Sequence, residues 1–331
     1  MKRMKRLAKH EGFGNVVVEE ADVPQIGARE ILVRIHRSLI SRGSEIGGRY
    51  RKETAVDPQI MGYSAAGVVE AVGKEVGNIA VGDRAMVVAP HAEYGVGKMD
   101  WLDGAACAKL PDAISFEHAT FIPLATSSVG WARSACIKEG DTVAILGQGL
   151  VGLLCLQTVR EMKPGKVVAV DALDMRCALA AKLGADVVVN VSKQDPVKAV
   201  REATGGKGAD VVMDCVGGPA GVKSFAQAQD MVKGGGVVQV VGLYQESPLP
   251  LEAGKIQGKL VVGDTACVTY AVSLHKAGAT TWLLDTPVPV TLSLPGRSPA
   301  KVAPGQEGRA ANMTLKPLAP CRVEIGFTNG R

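Results

Sequence analysis

The sequence predicts an α/β protein in which a mostly β domain precedes a doubly wound parallel sheet and an atypical C-terminal tail follows. Three observations predict it. Residues 119–268 alternate short, near-continuously apolar runs with helical stretches, as strands buried on both faces of a parallel sheet do. Residues 1–118 instead carry strand-like runs bounded by Gly and Pro. In the tail, residues 269–331, seven of the chain's 17 prolines fall within the last 45 positions, a density that disfavours helix.

The bulk properties fit. A length of 331 residues gives room for two domains of ordinary size, and 47% hydrophobic residues with 21% charged suits a buried core rather than disorder. The net charge of +5 is partly local, since Lys2, Arg3, Lys5, Arg6 and Lys9 crowd the start. They read as a solvated leader ahead of the first strand, with Met4 as an alternative start; without aromatic interleaving, a nucleic-acid arm is disfavoured and no nucleic-acid partner is expected. No apolar run approaches the roughly 20 residues that span a bilayer and no secretory core is present, so neither a membrane partner nor export is expected and the location is cytoplasmic. Seven cysteines stand singly, without a CxxC pair, as small core residues of a reducing compartment do.

In the β domain, Val16-Val17-Val18 and Ile31 to Ile35 flank Pro24 and Gly27, which predicts a hairpin between them. Further strands are predicted at 67–72 and 85–88. The second domain offers six, at 142–146, 166–170, 186–189, 210–213, 237–241 and 260–262. Right-handed crossovers between them place their carboxyl ends along one crevice, where a ligand belongs.

Gly147-Gln148-Gly149-Leu150-Val151-Gly152 has GxGxxG spacing directly after the first of these strands. Gly147 permits the tight turn, Gly149 the approach of a pyrophosphate, and Gly152 close packing of helix on strand, with the helix N-terminus facing the phosphates. Asp171, nineteen residues beyond Gly152, closes the second strand, where a carboxylate accepts hydrogen bonds from an adenosine ribose. It would repel a 2′-phosphate, and Ala172 and Leu173 offer no cation in compensation, so the expected cofactor is NAD(H). Arg176 either covers the adenine face or belongs to a solvated helix surface.

Three ordered segments carry a family resemblance: Gly62-Tyr63-Ser64-Ala65-Ala66-Gly67-Val68-Val69, Val81-Gly82-Asp83-Arg84, and Lys138-Glu139-Gly140-Asp141-Thr142-Val143 leading into the glycine motif. Over residues 5–268 the chain resembles the medium-chain dehydrogenase/reductase superfamily. That resemblance implies a GroES-like β domain (1–118), a Rossmann domain (119–268), an active site in the cleft between them, a small-molecule substrate and a homodimer or homotetramer. It also implies that Thr126 touches the nicotinamide, and that carbonyls around Cys215, Val216, Gly242 and Leu243 hold its carboxamide and ribose.

Zinc-dependent relatives carry a cysteine in an early loop, a Gly-His-Glu segment and a third ligand before the first Rossmann helix. Here these read Ser41-Arg42-Gly43-Ser44-Glu45, Gly62-Tyr63-Ser64 and Phe121-Ile122-Pro123-Leu124, and serine and tyrosine are poor zinc donors. A metal-free site is expected, since the loop at 41–45, Gly62-Tyr63-Ser64 and Ala89-Pro90-His91-Ala92-Glu93-Tyr94 together look similar to a zinc-free branch of the family. In place of a Lewis acid, Tyr63, Ser41 and Ser44 are the candidate donors to a developing oxyanion, and His91 the candidate proton relay. The plainer reading has Tyr63 bonding a backbone carbonyl and His91 serving structure. Glu45 stands where relatives keep an acid, with Arg42 or a distant arginine as its alternative partner.

The functional expectation is hydride transfer between NAD(H) and an alcohol or ketone. A quinone or enone reductase and a catalytically silent NAD-binding protein are the alternatives. The resemblance stops near residue 270, and the tail, 269–331, is expected to be a diverged or replaced segment, poorly packed from about residue 285.

Overall fold

The computed structural model describes residues 2–99, 106–242 and 249–265, followed by the backbone of seven strand segments up to Phe327; side chains are described as far as residue 263, Ala253 excepted. The chain divides into two compact units, Met1–Thr126 and Ser127–Arg331.

In the first unit, β1 (Arg3–Lys9) pairs antiparallel with β2 (Val16–Asp22), in register from Arg3 opposite Asp22 to Lys9 opposite Val16. This corrects two expectations. The predicted hairpin partner of β2, β3 (Glu30–Ser38), pairs elsewhere, and the basic start is a strand rather than a solvated leader. Its charges are matched locally: Arg3 to Glu20 and Asp22, Arg6 to Glu19, Lys2 to Glu70. Lys9 is 1% exposed and donates to the carbonyls of His10, Gly12 and Thr54, because a buried ammonium must find acceptors to replace water.

The remaining strands of this unit are β4 (Ala65–Val72), β5 (Arg84–Val87), β6 (Tyr94–Lys98) and β7 (Cys107–Lys109), which with β3 form an antiparallel sheet in the order β6-β3-β4-β5-β7. Register shifts at Leu32/Val33 and Ile35/Arg37 add twist and curl the sheet around Ile31, Val33, Ala65, Val69, Ala85 and Val87. A short helix, α1 (Phe116–Ala119), leads into α2 (Ile122–Ser134).

The second unit alternates strand and helix: β8 (Thr142–Leu146), α3 (Leu150–Glu161), β9 (Lys166–Asp171), α4 (Asp174–Lys182), β10 (Val187–Asn190), α5 (Pro196–Ala203), β11 (Ala209–Asp214), α6 (Pro219–Met231), β12 (Val232–Val240), β13 (Pro250–Glu252), α7 (Ala253–Ile256) and β14 (Leu260–Thr265). Six of these strands lie parallel in the order β10-β9-β8-β11-β12-β14, the doubly wound arrangement whose order reverses between β8 and β11. The strands read as apolar runs because both faces are covered. Val143, Ile145, Val167, Ala169 and Met213 pack with Leu156, Val159 and Ala180 of α3 and α4, while Ala144, Leu146, Val168, Val170 and Val212 pack with Val200 and Phe225 of α5 and α6.

Beyond Thr265 follow β15 (Val268–Lys276), β16 (Thr281–Asp285), β17 (Val290–Ser293), β18 (Ala300–Val302), β19 (Gly308–Ala310), β20 (Met313–Ala319) and β21 (Arg322–Phe327); the large sheet continues antiparallel from β14 in the order β15-β16-β21-β20-β19, while β17 and β18 form a three-stranded sheet with β13. No helix occurs among the described residues of this tail, as its prolines predict. How tightly the tail packs concerns side chains outside the described residues. Among the described residues no helix is long and apolar enough to cross a membrane.

Candidate active site

The turn after β8 is built from its glycines. Gly147 adopts φ +82°, and a Cβ there would lie 2.8 Å from Val216 Cγ2; a Cβ on Gly152 would lie 1.7 Å from the Gly147 carbonyl oxygen. The backbone can close only without those side chains. At Gly149 the space is open except for Arg176 Nη1 at 3.9 Å, and no side chain caps α3 there. The first N–H groups of α3 are therefore left without a side-chain cap at the positive end of a twelve-residue helix. This cradle fits a dinucleotide pyrophosphate.

Asp171 ends β9 beside this cradle, 7% exposed. Its Oδ2 accepts the Gln148 N–H at 2.7 Å and its Oδ1 the Leu173 N–H at 2.9 Å, so the carboxylate is held in place while each oxygen keeps a lone pair for a ribose hydroxyl. Arg176 Nη1 stands 3.6 Å from Oδ2. The expectation that no cation offsets Asp171 was drawn from the next two positions alone; the first turn of α4 brings one back from position 176.

Cys215, Val216 and Gly242 gather on the other side of the turn. Cys215 N–H donates to Leu146 O at 2.9 Å, Gly242 N–H to Asp214 O at 2.8 Å, and a Cβ on Gly242 would lie 2.4 Å from Val216 O. Contact with Cys155, together with burial, raises the Cys215 thiol well above the usual range. Leu150 and Val151 open α3, and Thr126 is exposed on α2. Leu243 lies outside the described residues.

In the first unit, the loop after β3 forms one wide helical turn, Arg42–Ile46, in which Ile46 N–H donates to Ser41 O at 3.1 Å and Gly47 N–H to Arg42 O at 2.9 Å. Such i→i+5 turns accommodate one extra residue. Ser41 is its N-cap: its hydroxyl accepts the Ser44 N–H at 3.2 Å while Glu45 Oε2 reaches back to the Ser41 N–H at 2.7 Å. The turn thereby directs Glu45 inward, fully buried. There Oε1 meets His91 Nε2 at 2.8 Å and accepts the Tyr50 hydroxyl at 3.0 Å, so its partners are a histidine and a tyrosine rather than Arg42 or another arginine. Burial pushes the Glu45 carboxyl up, but bonds from His91, the Ser41 N–H and Tyr50 more than offset it and leave it below the usual carboxylate range. Burial and the adjacent Glu45 push the Tyr50 phenol up.

His91 Nδ1 lies 2.8 Å from the Ser38 hydroxyl, and its backbone N–H donates to Met61 O at 2.7 Å. A Cβ on Gly62 would come within 2.7 Å of His91 N, so the Gly62-Tyr63-Ser64 segment rests on the histidine. Ser38 pairs with Ala65 across β3 and β4, which brings Ser38, Tyr63 and His91 into one neighbourhood. Ser64 is buried and donates its hydroxyl to the Thr120 carbonyl. Tyr63 is half-buried, and no backbone carbonyl among the described residues accepts its hydroxyl. Ser44, also half-buried, sits in the same turn. Ser38 and Tyr50 carry no local motif, and nothing in the sequence around them singles them out. Among the described residues no three His, Cys, Asp or Glu side chains gather closely enough to hold a metal ion.

Comparison with known proteins places both units. A family model described as alcohol dehydrogenase GroES-like domain matches residues 27–121, and one described as zinc-binding dehydrogenase matches residues 151–273. The chain is 28% identical over 267 residues to a sorbitol dehydrogenase of Bacillus subtilis (strain 168), covering 71% of this chain and 74% of that protein. It is 27% identical over 279 residues to an L-threonine 3-dehydrogenase of the same organism, covering 76% and 79%. The alcohol dehydrogenase TADH from Thermus sp. ATN1 superposes with a TM-score of 0.67 at 26% identity, covering 78% of this chain and 84% of that one. With a curled GroES-like sheet, a Rossmann-like parallel sheet and dehydrogenase relatives across most of its length, the chain belongs to the medium-chain dehydrogenase/reductase superfamily of oxidoreductases.

Proposed function

We propose that this protein is an NAD(H)-linked oxidoreductase that interconverts an alcohol and a ketone without a catalytic zinc. One observation carries the cofactor reading: a buried carboxylate, Asp171, fixed at the end of β9 beside an uncapped glycine turn. Gly147, Gly149 and the N-terminal N–H groups of Leu150, Val151 and Gly152 would hold the pyrophosphate, Asp171 the adenosine ribose, and Cys215, Val216 and Gly242 the nicotinamide end, with Thr126 against the ring. The cofactor supplies a two-electron hydride acceptor and donor.

The metal-free reading rests on the donor set. The Ser41 hydroxyl accepts the Ser44 N–H as a helix cap, Ser64 is tied to Thr120, and Tyr63 stands where zinc-dependent relatives place a histidine. The zinc-binding dehydrogenase match, at residues 151–273, includes none of these positions. In this reading Tyr63 donates its phenolic O–H to the oxygen of the substrate and Ser44 supports it, so that charge developing there meets a hydrogen bond in place of a Lewis acid. His91 handles the proton. Ile40, Ile46 and Ile60, exposed on the same stretch of chain, suit a substrate with an apolar carbon body.

Native mass spectrometry of the freshly purified protein tests the cofactor reading: retained or readily bound NAD(H) supports it, and selective retention of NADP(H) overturns it.

A further inference from the structure

A chain of hydrogen bonds runs from the surface of the first unit to a buried carboxylate. Ser38 is exposed at the end of β3, its hydroxyl 2.8 Å from His91 Nδ1, and His91 Nε2 is 2.8 Å from Glu45 Oε1. His91 is 8% exposed and Glu45 0%. Glu45 cannot swing away, because its other oxygen accepts the Ser41 N–H at 2.7 Å and Tyr50 donates to Oε1 at 3.0 Å. An ionised carboxylate only accepts, so whenever the imidazole is neutral the pairing with Glu45 places its one hydrogen on Nε2 and leaves the Nδ1 lone pair facing the serine.

We propose that Ser38, His91 and Glu45 form the proton-transfer chain of this oxidoreductase: Ser38 meets the substrate hydroxyl, His91 is the base behind it, and Glu45 is the positioning residue. The proposal rests on the metal-free reading above. In alcohol oxidation the C–H bond breaks, and its electron pair leaves as hydride for the oxidised nicotinamide. The O–H bond breaks with it, and the C–O bond becomes C=O. The hydroxyl proton passes to Ser38 Oγ as the Ser38 proton passes to His91 Nδ1. The product is an imidazolium protonated on both nitrogens, opposite a carboxylate whose charge it matches in a buried site. Return of that proton through Ser38 to water resets the chain, and ketone reduction runs the same transfers backwards.

Other polar groups face the pair from the elements packed around it. Tyr50 donates to Glu45, with the Arg49 charge behind it, and Tyr63 lies next to Gly62 on the histidine. From the β1 side, Arg6 is paired with Glu19, and Glu93 accepts the Lys5 N–H.

Two readouts test the chain in the full-length protein. The first is kcat/KM for alcohol oxidation in Ser38→Ala, Ser38→Thr and Glu45→Gln. The Ala variant is expected to lose about a hundredfold, the scale of general-base catalysis, while Thr, which keeps the hydroxyl, stays within about tenfold of the parent. A Ser38→Ala variant with parental kcat/KM overturns the proposal. The second is nitrogen NMR of the His91 ring, which needs no turnover. The parent is expected to carry its hydrogen on Nε2, and Glu45→Gln to redistribute it between the two nitrogens. An Nδ1-protonated ring in the parent, or a ring unmoved by Glu45→Gln, overturns the proposal as well. If the parent turns over no alcohol or ketone while the ring is Nε2-protonated as expected, the function proposed above falls and the geometry of the chain stands.

Discussion

Asp171 Oδ2 accepts the Gln148 N–H at 2.7 Å, so the carboxylate that ends β9 also holds the glycine turn that ends β8. On the proposed function, cofactor choice and turn geometry would therefore be linked through one side chain. NADH is expected to bind at least about tenfold more tightly than NADPH, because a 2′-phosphate would be brought against a carboxylate held in place. Asp171→Ala should narrow that ratio and weaken NADH itself. Isothermal titration of both cofactors checks it; equal affinities for the parent would contradict it.

On the proposed cofactor reading, Arg176 would soften the discrimination expected from Asp171. With Nη1 at 3.6 Å from the carboxylate and a side chain 34% exposed, it offers partial compensation to an incoming phosphate. Arg176→Ala should widen the preference for NADH, by roughly two- to fivefold on the scale of a solvent-screened pair. The same titrations read it, and an unchanged ratio would show that Arg176 faces away from the ribose.

Two glycines of the motif separate folding from binding. Gly152→Ala places a methyl group 1.7 Å from the Gly147 carbonyl oxygen and should destabilise the protein by about 1–3 kcal/mol or more in denaturant unfolding. Gly149→Ala meets only open space and an arginine tip at 3.9 Å, so it should leave stability nearly intact and weaken NADH binding. Reversal of that order would contradict the assignment of the cradle.

Acid should act on the first unit through Glu45. Its carboxyl titrates below the usual value of 4.5 when folded and near that value when unfolded, so the unfolded state binds the proton more readily. The stability it contributes is complete above about pH 4.5 and is lost as pH falls through the lower, folded-state value. Thermal melts of Glu45→Gln should show a smaller loss of Tm than the parent between pH 6 and pH 3. Parallel curves would show that Glu45 is not held in its ionised form by the fold.

What the sequence made legible was local. The six parallel strands announce themselves as apolar runs, and the glycine motif and Asp171 lie within one strand-helix-strand unit, so spacing alone locates them. What it hid depends on distant partners. Arg3 to Lys9 look like a solvated basic run until β2 supplies Glu19, Glu20 and Asp22 across from them. Lys9 looks exposed until the chain near Thr54 closes over it. Glu45 and His91 are 46 positions apart, and only the extra residue of the 42–46 turn and the β3–β4 pairing bring them and Ser38 together. Arg176 returns to Asp171 by helix geometry, which a glance at the two residues after Asp171 misses.

Turnover under chelation bears most directly on the claim that hydride transfer here proceeds without zinc. The enzyme, treated with EDTA and shown by elemental analysis to carry only a trace of zinc per chain, would be assayed with NAD(H) against a panel of secondary alcohols and ketones. Activity is predicted to survive chelation within about twofold, since proton handling and oxyanion stabilisation fall to side chains, each on the scale of ordinary hydrogen-bond and acid–base catalysis. Loss of activity on chelation, restored by one zinc ion per chain, would contradict the account.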